Sequence, residues 1–189
     1  MLIKKLIFIF AFLLLFIFLQ AIILGIHWGV FSAVNISISH LNRNYFITMK
    51  HPTNYLNFQN QIDSVKNYLS LNEIIPGSSA TLIWDDPIYS TLNKLRVSGG
   101  FFHNDSFLLG DSIFRTIILD SGNVILGSLT AHPQIAPYKL YPEILEWLNN
   151  SSYRRDSSRV IIQSLNNKGE IIVYYPIHST SHISDNSTQ

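Results

Sequence analysis

An unbroken apolar segment stands near the start of the chain. Residues 6–26 contain no Asp, Glu, Lys or Arg, and Gln20 is their one strongly polar side chain. A helix rises about 1.5 Å per residue, so about 20 apolar residues cross the hydrocarbon core of a bilayer. The segment predicts a single-pass membrane protein in which residues 1–30 form an anchor and residues 6–26 contact the lipid bilayer.

A cleaved secretory signal is the alternative to an anchor. The apolar core of such a signal is typically about 7–15 residues long, which is shorter than this segment. A mature protein that starts near Val34 would support the signal. Lys4 and Lys5 precede the helix, and the first basic residue after it is Arg43. The positive-inside tendency then predicts a cytoplasmic N-terminus and an extracytoplasmic domain.

Beyond the anchor, apolar and polar residues alternate. Val34, Ile36 and Ile38 face one way with polar residues between them, as in a half-buried strand. This alternation predicts a strand over 34–39, and 45–49 is predicted to continue it. Further strand-like segments are predicted over 80–84, 94–102, 113–119, 124–130, 159–165 and 170–177. Apolar residues at spacings of three and four predict two amphipathic helices, from Tyr55 to Leu69 and from Tyr138 to Leu148.

The order of these elements repeats. His51-Pro52 and His132-Pro133 each end a strand and open a helix that two strands follow. We therefore predict an α+β domain over residues 31–178, built from duplicated β-α-β-β modules at about 34–102 and 112–177. The modules share an antiparallel sheet with two helices on one face. The polar composition of residues 179–189 predicts a disordered tail.

Charge and composition narrow the range of possible partners and chemistry. The chain has 13 Lys+Arg and 12 Asp+Glu, with no basic run to neutralise phosphates, so we predict no nucleic-acid partner. It has no cysteine, which excludes disulfides and thiolate chemistry. The histidines lack metal-ligand spacing, and no phosphate loop or dinucleotide fingerprint occurs, so neither a metal nor a cofactor is predicted.

Three stretches carry a resemblance to a known family. They are ATLIWDDPIYSTLNKLRVSGGFF at 80–102, YPEILEWLNNSSY at 141–153 and EIIVYYPI at 170–177. In this order they resemble the GyrI-like small-molecule-binding domain. The resemblance implies a domain that binds small, often cationic or aromatic molecules between its two modules.

The resemblance also implies an alternative role. A membrane-anchored branch of the family includes receptors that connect the endoplasmic reticulum to the autophagy machinery. A protein-recruiting receptor or adaptor of this ER-phagy type is therefore the first alternative to a small-molecule-binding module.

Aromatic rings are the candidate ligand contacts. We predict that five of them line a cleft for a small apolar or cationic molecule, or for a partner peptide: Trp84, Tyr89, Phe101, Trp147 and Tyr174. Aromatic faces attract cations by about 0.5–2 kcal/mol per contact. The alternative for each ring is that it belongs to the ordinary hydrophobic core.

The resemblance raises the question whether this chain has a catalytic acid. Many family members carry a glutamate on the strand before the final hairpin, close to a tyrosine. Here that strand, RVIIQSL at 159–165, has no acid, and Gln163 is its only amide side chain. Glu170 is the nearest replacement, but it follows the turn. We therefore expect a non-catalytic module, and a small-molecule hydrolase is the second alternative.

Two short motifs have structural interpretations. Asp85 and Asp86 invite an acid–base or metal site, but neighbouring strand residues point to opposite faces, and Asp before Pro87 is typical of turns. Ser98-Gly99-Gly100 predicts a β-bulge that lets the backbone approach a ligand or a helix.

Overall fold

The apolar segment forms a helix, as predicted. In the computed structural model, which describes residues 2–104, 112–166 and 168–179, helix α1 spans Leu2–His27. Its stretch Ile7–His27 is long and apolar enough to cross a membrane, and none of it is buried in the protein. Within the described residues, this helix is the one candidate span.

The rest of the described chain is α+β, as predicted. Its elements are β1 (Asn35–Leu41), β2 (Asn44–Met49), β3 (Thr53–Asn54), α2 (Phe58–Leu71), β4 (Ser79–Ile83), a 3-10 turn (Leu92–Lys94), β5 (Arg96–His103), β6 (Phe114–Leu119), β7 (Gly122–Thr130), α3 (Ala136–Asn149), β8 (Tyr153–Arg155), β9 (Ile161–Leu165) and β10 (Glu170–Ser179).

The strands form one large antiparallel sheet in the order β1-β7-β10-β9-β4-β5-β2-β6, with β3 added beside β5 and β8 beside β10. The units β2-α2-β4-β5 and β7-α3-β9-β10 occupy matching halves of this order. They meet where β4 pairs with β9, with Ala80 opposite Ser164 and Ile83 opposite Ile161. The centre of the sheet is therefore the junction between the two units.

Strand β2 does not continue β1, so that prediction is wrong. Strand β1 pairs with β7, whereas β2 pairs with β5 and β6. The two strands stand six places apart in the sheet, about 29 Å if the sheet were flat. The link through residues 42–43 reaches only about 11 Å. The sheet therefore has to curl strongly.

Both faces of the curled sheet carry apolar clusters. Helices α2 and α3 cover one face, since Val65 and Leu69 pack with Phe101, and Leu140 and Ile144 pack with Val173. The opposite face buries a smaller cluster of Phe46, Ala80, Leu82, Leu119 and Ile162. Successive strand residues point to opposite faces, so each central strand contributes to both clusters.

Gly99 lets α2 lie close to the sheet. A Cβ there would be 2.6 Å from the Phe58 carbonyl oxygen and 2.8 Å from Ile62 Cγ1. The Gly99 amide donates a hydrogen bond of 3.0 Å to Oε1 of Gln61 on the same helix. The predicted close approach to a helix is confirmed. The predicted bulge is wrong, because the register of β4 and β5 runs without interruption through Thr81 and Gly99.

Smaller differences concern element ends. Strand β5 begins at Arg96, because residues 92–94 form the 3-10 turn, and Tyr55 precedes α2. Strand β8 was not predicted. Ser179 belongs to β10 and not to the predicted tail, whose residues 180–189 lie outside the described part of the chain.

Candidate functional site

Three polar side chains meet on the helix face at the junction of the two units. The Gln163 side-chain amide donates to the Tyr55 hydroxyl at 2.9 Å, and its Oε1 lies 3.3 Å from the hydroxyls of both Tyr55 and Tyr141. All three side chains are buried. We call them the Gln163 cluster.

The fold explains why these three residues meet. Gln163 points to the helix face because it alternates with Ile162, which packs on the opposite face. Its strand partner is Thr81 of β4, so it lies at the junction of the units. The short strand β3 positions Tyr55 just before α2, and α3 carries Tyr141. Each unit thus contributes to one hydrogen-bonded group.

A charged cluster lies beside it. Asp86 Oδ2 is 2.5 Å from an Arg155 guanidinium nitrogen and accepts a hydrogen bond of 2.9 Å from the Tyr175 hydroxyl. Asp86 Oδ1 accepts from the Ile88 amide at 3.0 Å. The predicted turn role of Asp86 is thereby confirmed. These bonds fix the start of the loop 87–92 against the sheet.

Asp85 points elsewhere. Its carboxylate binds the exposed Arg96 side chain at 2.7 Å, and this pairing lowers the pKa of Asp85. The two neighbouring aspartates therefore do not form a shared site. Among the described residues, no group of three or more His, Cys, Asp or Glu could hold a metal ion.

The tyrosines of both clusters are proton donors at neutral pH. Burial raises the pKa of Tyr55 and, more strongly, that of Tyr141. Burial also raises the pKa of Tyr175, and the neighbouring Asp86 carboxylate raises it further. A buried tyrosinate would lose hydration, so each hydroxyl keeps its proton.

A pocket of about 410 Å³ opens between the loop 87–92 and α3. Its walls are mostly apolar: Pro87, Ile88, Leu92, Pro137, Pro142 and Leu145. Tyr141 belongs both to this wall and to the Gln163 cluster. Small-molecule sites commonly have this size and this combination of apolar walls with a few polar groups.

The five predicted rings are not brought together. Trp84 and Tyr174 lie on the sheet face opposite the helices, where they border separate cavities of about 160 and 590 Å³. Phe101 is buried beneath α2. Trp147 packs on Tyr153, with ring centroids 5.8 Å apart, at a third cavity. Tyr89 is 80% exposed on the loop 87–92.

Strand alternation and side-chain contacts explain why the five rings do not meet. Trp84 donates from its indole nitrogen to the Ser98 hydroxyl at 3.0 Å, and Arg115 lies 5.6 Å above its ring, so it is held on the far face. Tyr174 and Tyr175 are neighbours on β10 and point to opposite faces. The single cleft expected for the five rings is therefore not formed.

The sequence reasoning missed most of the residues that do meet. It treated Tyr55 and Tyr141 as part of helical apolar faces, and it assigned no site role to Tyr175 or Arg155. It noted Gln163 only as the one amide side chain on the strand where the resemblance leads one to expect an acid. Glu170 binds Asn166 Nδ2 at 2.9 Å and does not line the pocket.

No family model and no curated protein matches this sequence. The fold is α+β, with two β-α-β-β units around a shared antiparallel sheet. The chain is similar to the C-terminal domain of EcmrR, with a TM-score of 0.62 at 8% identity over 77% of this chain and 98% of that one. For EcmrR in its complex with DNA the TM-score is 0.64 at 8% identity over 77% of this chain, which spans 58% of that chain.

A hydrolase from Listeria innocua is also similar in structure. Its TM-score is 0.55 at 10% identity, over 76% of this chain and 92% of that one. At such identities the likeness establishes the fold and nothing about activity.

Proposed function

We propose that the chain is a membrane-tethered, non-catalytic binding module whose pocket takes a small, uncharged, largely apolar molecule with a hydrogen-bonding group. The observation that carries the proposal is Tyr141, which lines the 410 Å³ pocket and whose hydroxyl reaches the buried Gln163 amide. In this proposal the Gln163 cluster, which Tyr141 joins to the pocket wall, is the polar base of the pocket, and ligand sites commonly combine apolar walls with a few polar groups.

The electrostatics of this base favour an uncharged ligand. The Gln163 amide and the protonated tyrosines carry no net charge, and the charge of Asp86 is balanced by Arg155. A cation placed here would lose its hydration without gaining a free carboxylate, which is costly. Of the two ligand classes expected from the sequence, the apolar class is therefore the better fit.

The hydrogen bond between Tyr141 and Gln163 is long, so a ligand could compete with it. The bond from Tyr141 to Gln163 is 3.3 Å long, whereas O–H···O bonds are commonly about 2.7–2.8 Å. A ligand oxygen at the shorter distance would compete for the hydroxyl proton. The ligand we propose therefore carries an acceptor such as a carbonyl, ether or hydroxyl oxygen.

The tether part of the proposal is supported by α1. Its apolar side chains are exposed along the helix, for example Phe8 at 74% and Phe12 at 64%. Water would disfavour such a surface by about 25 cal/mol per Å² of apolar area, whereas lipid accommodates it.

A matched pair of probes tests the ligand class. The full-length protein in detergent is heated with 2-naphthol or with a naphthyl trimethylammonium ion, which share an aromatic body and differ in charge. We expect 2-naphthol to raise the Tm more than the cation does. Tyr141→Phe should reduce that rise, and Tyr174→Phe, on the opposite face, should leave it unchanged. A larger rise with the cation, or no rise with either, would contradict the proposal.

Hydrolysis is the second candidate, because Asp86 and Tyr175 place a carboxylate beside a hydroxyl near the pocket. The carboxylate is already bound by Arg155 and by the Tyr175 hydroxyl. Turnover of a nitrophenyl ester that is lost in Asp86→Asn would favour this candidate over binding alone.

A further inference from the structure

The anchor helix ends in a motif that turns the chain back on itself. Gly29 has φ +71°, its amide donates to the Ile26 carbonyl at 3.1 Å, and the Val30 amide donates to the Gly25 carbonyl at 2.9 Å. This is the pattern of a Schellman C-cap. The Phe31 ring then lies against the last helical turn, since a Cβ on Gly25 would be 3.1 Å from Phe31 Cε2.

Residues 28–34, the exit segment, are seated on the domain at the turn between β7 and α3. The Trp28 ring stacks on His132 with centroids 5.4 Å apart, and the His132 amide donates to the Trp28 carbonyl at 2.9 Å. A Cβ on Gly29 would be 2.5 Å from the Thr130 carbonyl oxygen and 2.7 Å from Ala131 Cα. The backbones of the exit segment and of the domain are thus in direct contact.

Lys139 extends this contact to the first turn of α3. Its ammonium group donates to the Val30 carbonyl at 2.7 Å and also to the Ser32 carbonyl. The preceding residues Pro137 and Tyr138 line the ligand pocket. The end of the anchor and one end of the pocket therefore share a single helical turn.

The exposed side chains at this end suit a membrane interface. Trp28 is 43% exposed, Phe31 69% and Tyr138 71%. Aromatic rings are enriched at the level of the lipid headgroups. The pocket wall runs up α3 from Pro137 to Leu145, a distance of about 12 Å, so its lower rim is the part nearest the end of the span.

We propose that the exit segment is a rigid mount that holds the lower rim of the pocket against the bilayer surface, so that the pocket takes its ligand from the lipid phase. The ligand is then a membrane-partitioned, uncharged amphiphile. The ligand part rests on the proposed function, whereas the contact of the rim with the bilayer does not.

Single spin labels test the mount, and the absence of native cysteine makes them specific. The full chain is reconstituted in phosphatidylcholine vesicles with one label at Tyr138→Cys, Gln134→Cys or Ser157→Cys. Residues 134 and 157 are both exposed, and 157 lies in the turn before β9, at the far end of the domain. We expect labels at 134 and 138 to collide at least threefold more often with oxygen than with a water-soluble nickel chelate. The label at 157 should show the reverse.

A pair of glycine variants tests the rigidity. Gly29→Ala places a methyl group against Thr130, whereas Gly169→Ala has a similar positive φ of +74° and nothing within 4 Å. We expect Gly29→Ala to move the label at 138 towards water and Gly169→Ala to leave it in place. Lys139→Met, which removes the bonds to the exit segment while retaining a long apolar stem, is the second variant if Gly29→Ala fails to fold.

The outcomes separate the two proposals. A label at 138 as accessible to nickel as the label at 157 would overturn the mount, even if 2-naphthol still stabilises the protein in detergent. A label at 138 in the interface that Gly29→Ala and Lys139→Met both leave in place would overturn the role of the exit segment. Bilayer contact without stabilisation by 2-naphthol would uphold the mount and count against the proposed function.

Discussion

The side-chain amide of Gln163 lies 2.9 Å from the hydroxyl of Tyr55, although 108 residues separate them in the chain. The bond joins strand β9 of the second unit to the residue that leads into α2 of the first. Because Tyr141 contacts the same amide, the proposed base of the pocket exists only when the two units are docked. Changes at this point should therefore affect binding and stability together.

Gln163→Glu should convert the neutral base of the pocket into a cation site. The carboxyl would be buried between two tyrosines, so its folded-state pKa should lie above the ordinary value of about 4.3. The loss of stability should be absent below that pH and should grow as the pH rises through the raised pKa. We expect a loss of about 1–3 kcal/mol at pH 7, measured by urea unfolding.

The same variant should reverse the ligand preference. The naphthyl trimethylammonium ion should raise the Tm of Gln163→Glu more than 2-naphthol does. Gln134→Glu, an equal change on an exposed residue, is the matched control and should alter neither stability nor preference appreciably. An unchanged preference for 2-naphthol in Gln163→Glu would show that the cluster does not form the base of the site.

The neighbouring aspartates give a second matched comparison. The Asp86 and Arg155 side chains are only 12% and 16% exposed, whereas those of Asp85 and Arg96 are 25% and 69% exposed. Asp86→Asn leaves a buried arginine without its charge partner, so we expect a loss of about 3 kcal/mol. Asp85→Asn should cost much less, because water screens the exposed pair. Equal losses in chemical denaturation would contradict the ion pair as the support of the loop 87–92.

The buried tyrosines predict a loss of stability in alkali. The pKa values of Tyr55, Tyr141 and Tyr175 are raised above the ordinary value of 10.0, so the unfolded chain releases these protons first. Their contribution is complete below about pH 10 and declines above it by about 1.4 kcal/mol per pH unit for each tyrosine. Unfolding followed by the tyrosinate absorbance should show this decline. Tyr141→Phe should make it shallower, while Tyr89→Phe, which changes an exposed ring, should not.

The anchor predicts resistance to alkaline carbonate extraction. The full-length protein should remain in the membrane pellet after the wash. Leu15→Arg, near the middle of the apolar segment, should move a large part of it to the supernatant, because a central arginine costs about 2.5–3.5 kcal/mol on insertion. Lys5→Arg keeps the flanking charge and is the control. Recovery of the unaltered protein in the supernatant would refute the anchor.

Local patterns predicted the elements well but not their neighbours. The patterns along residues 34–49 correctly indicated strands, yet β1 and β2 stand six places apart in the sheet order. The sequence of neither strand indicates which strand it pairs with, because each pairs with a segment more than 50 residues away. For the same reason, the strand predicted over 80–84 does not reveal which of the two buried faces Trp84 joins.

The sequence by itself determined the apolar span, the strands, the two amphipathic helices and the lack of an acid on the strand that carries Gln163. These features depend on composition and period, which a local stretch of chain carries. The tertiary structure decided which tyrosines meet that glutamine, that Asp86 is neutralised by Arg155, and that the exit segment is seated on α3. Those contacts arise when distant apolar surfaces are buried together, and no local pattern records which surfaces will meet.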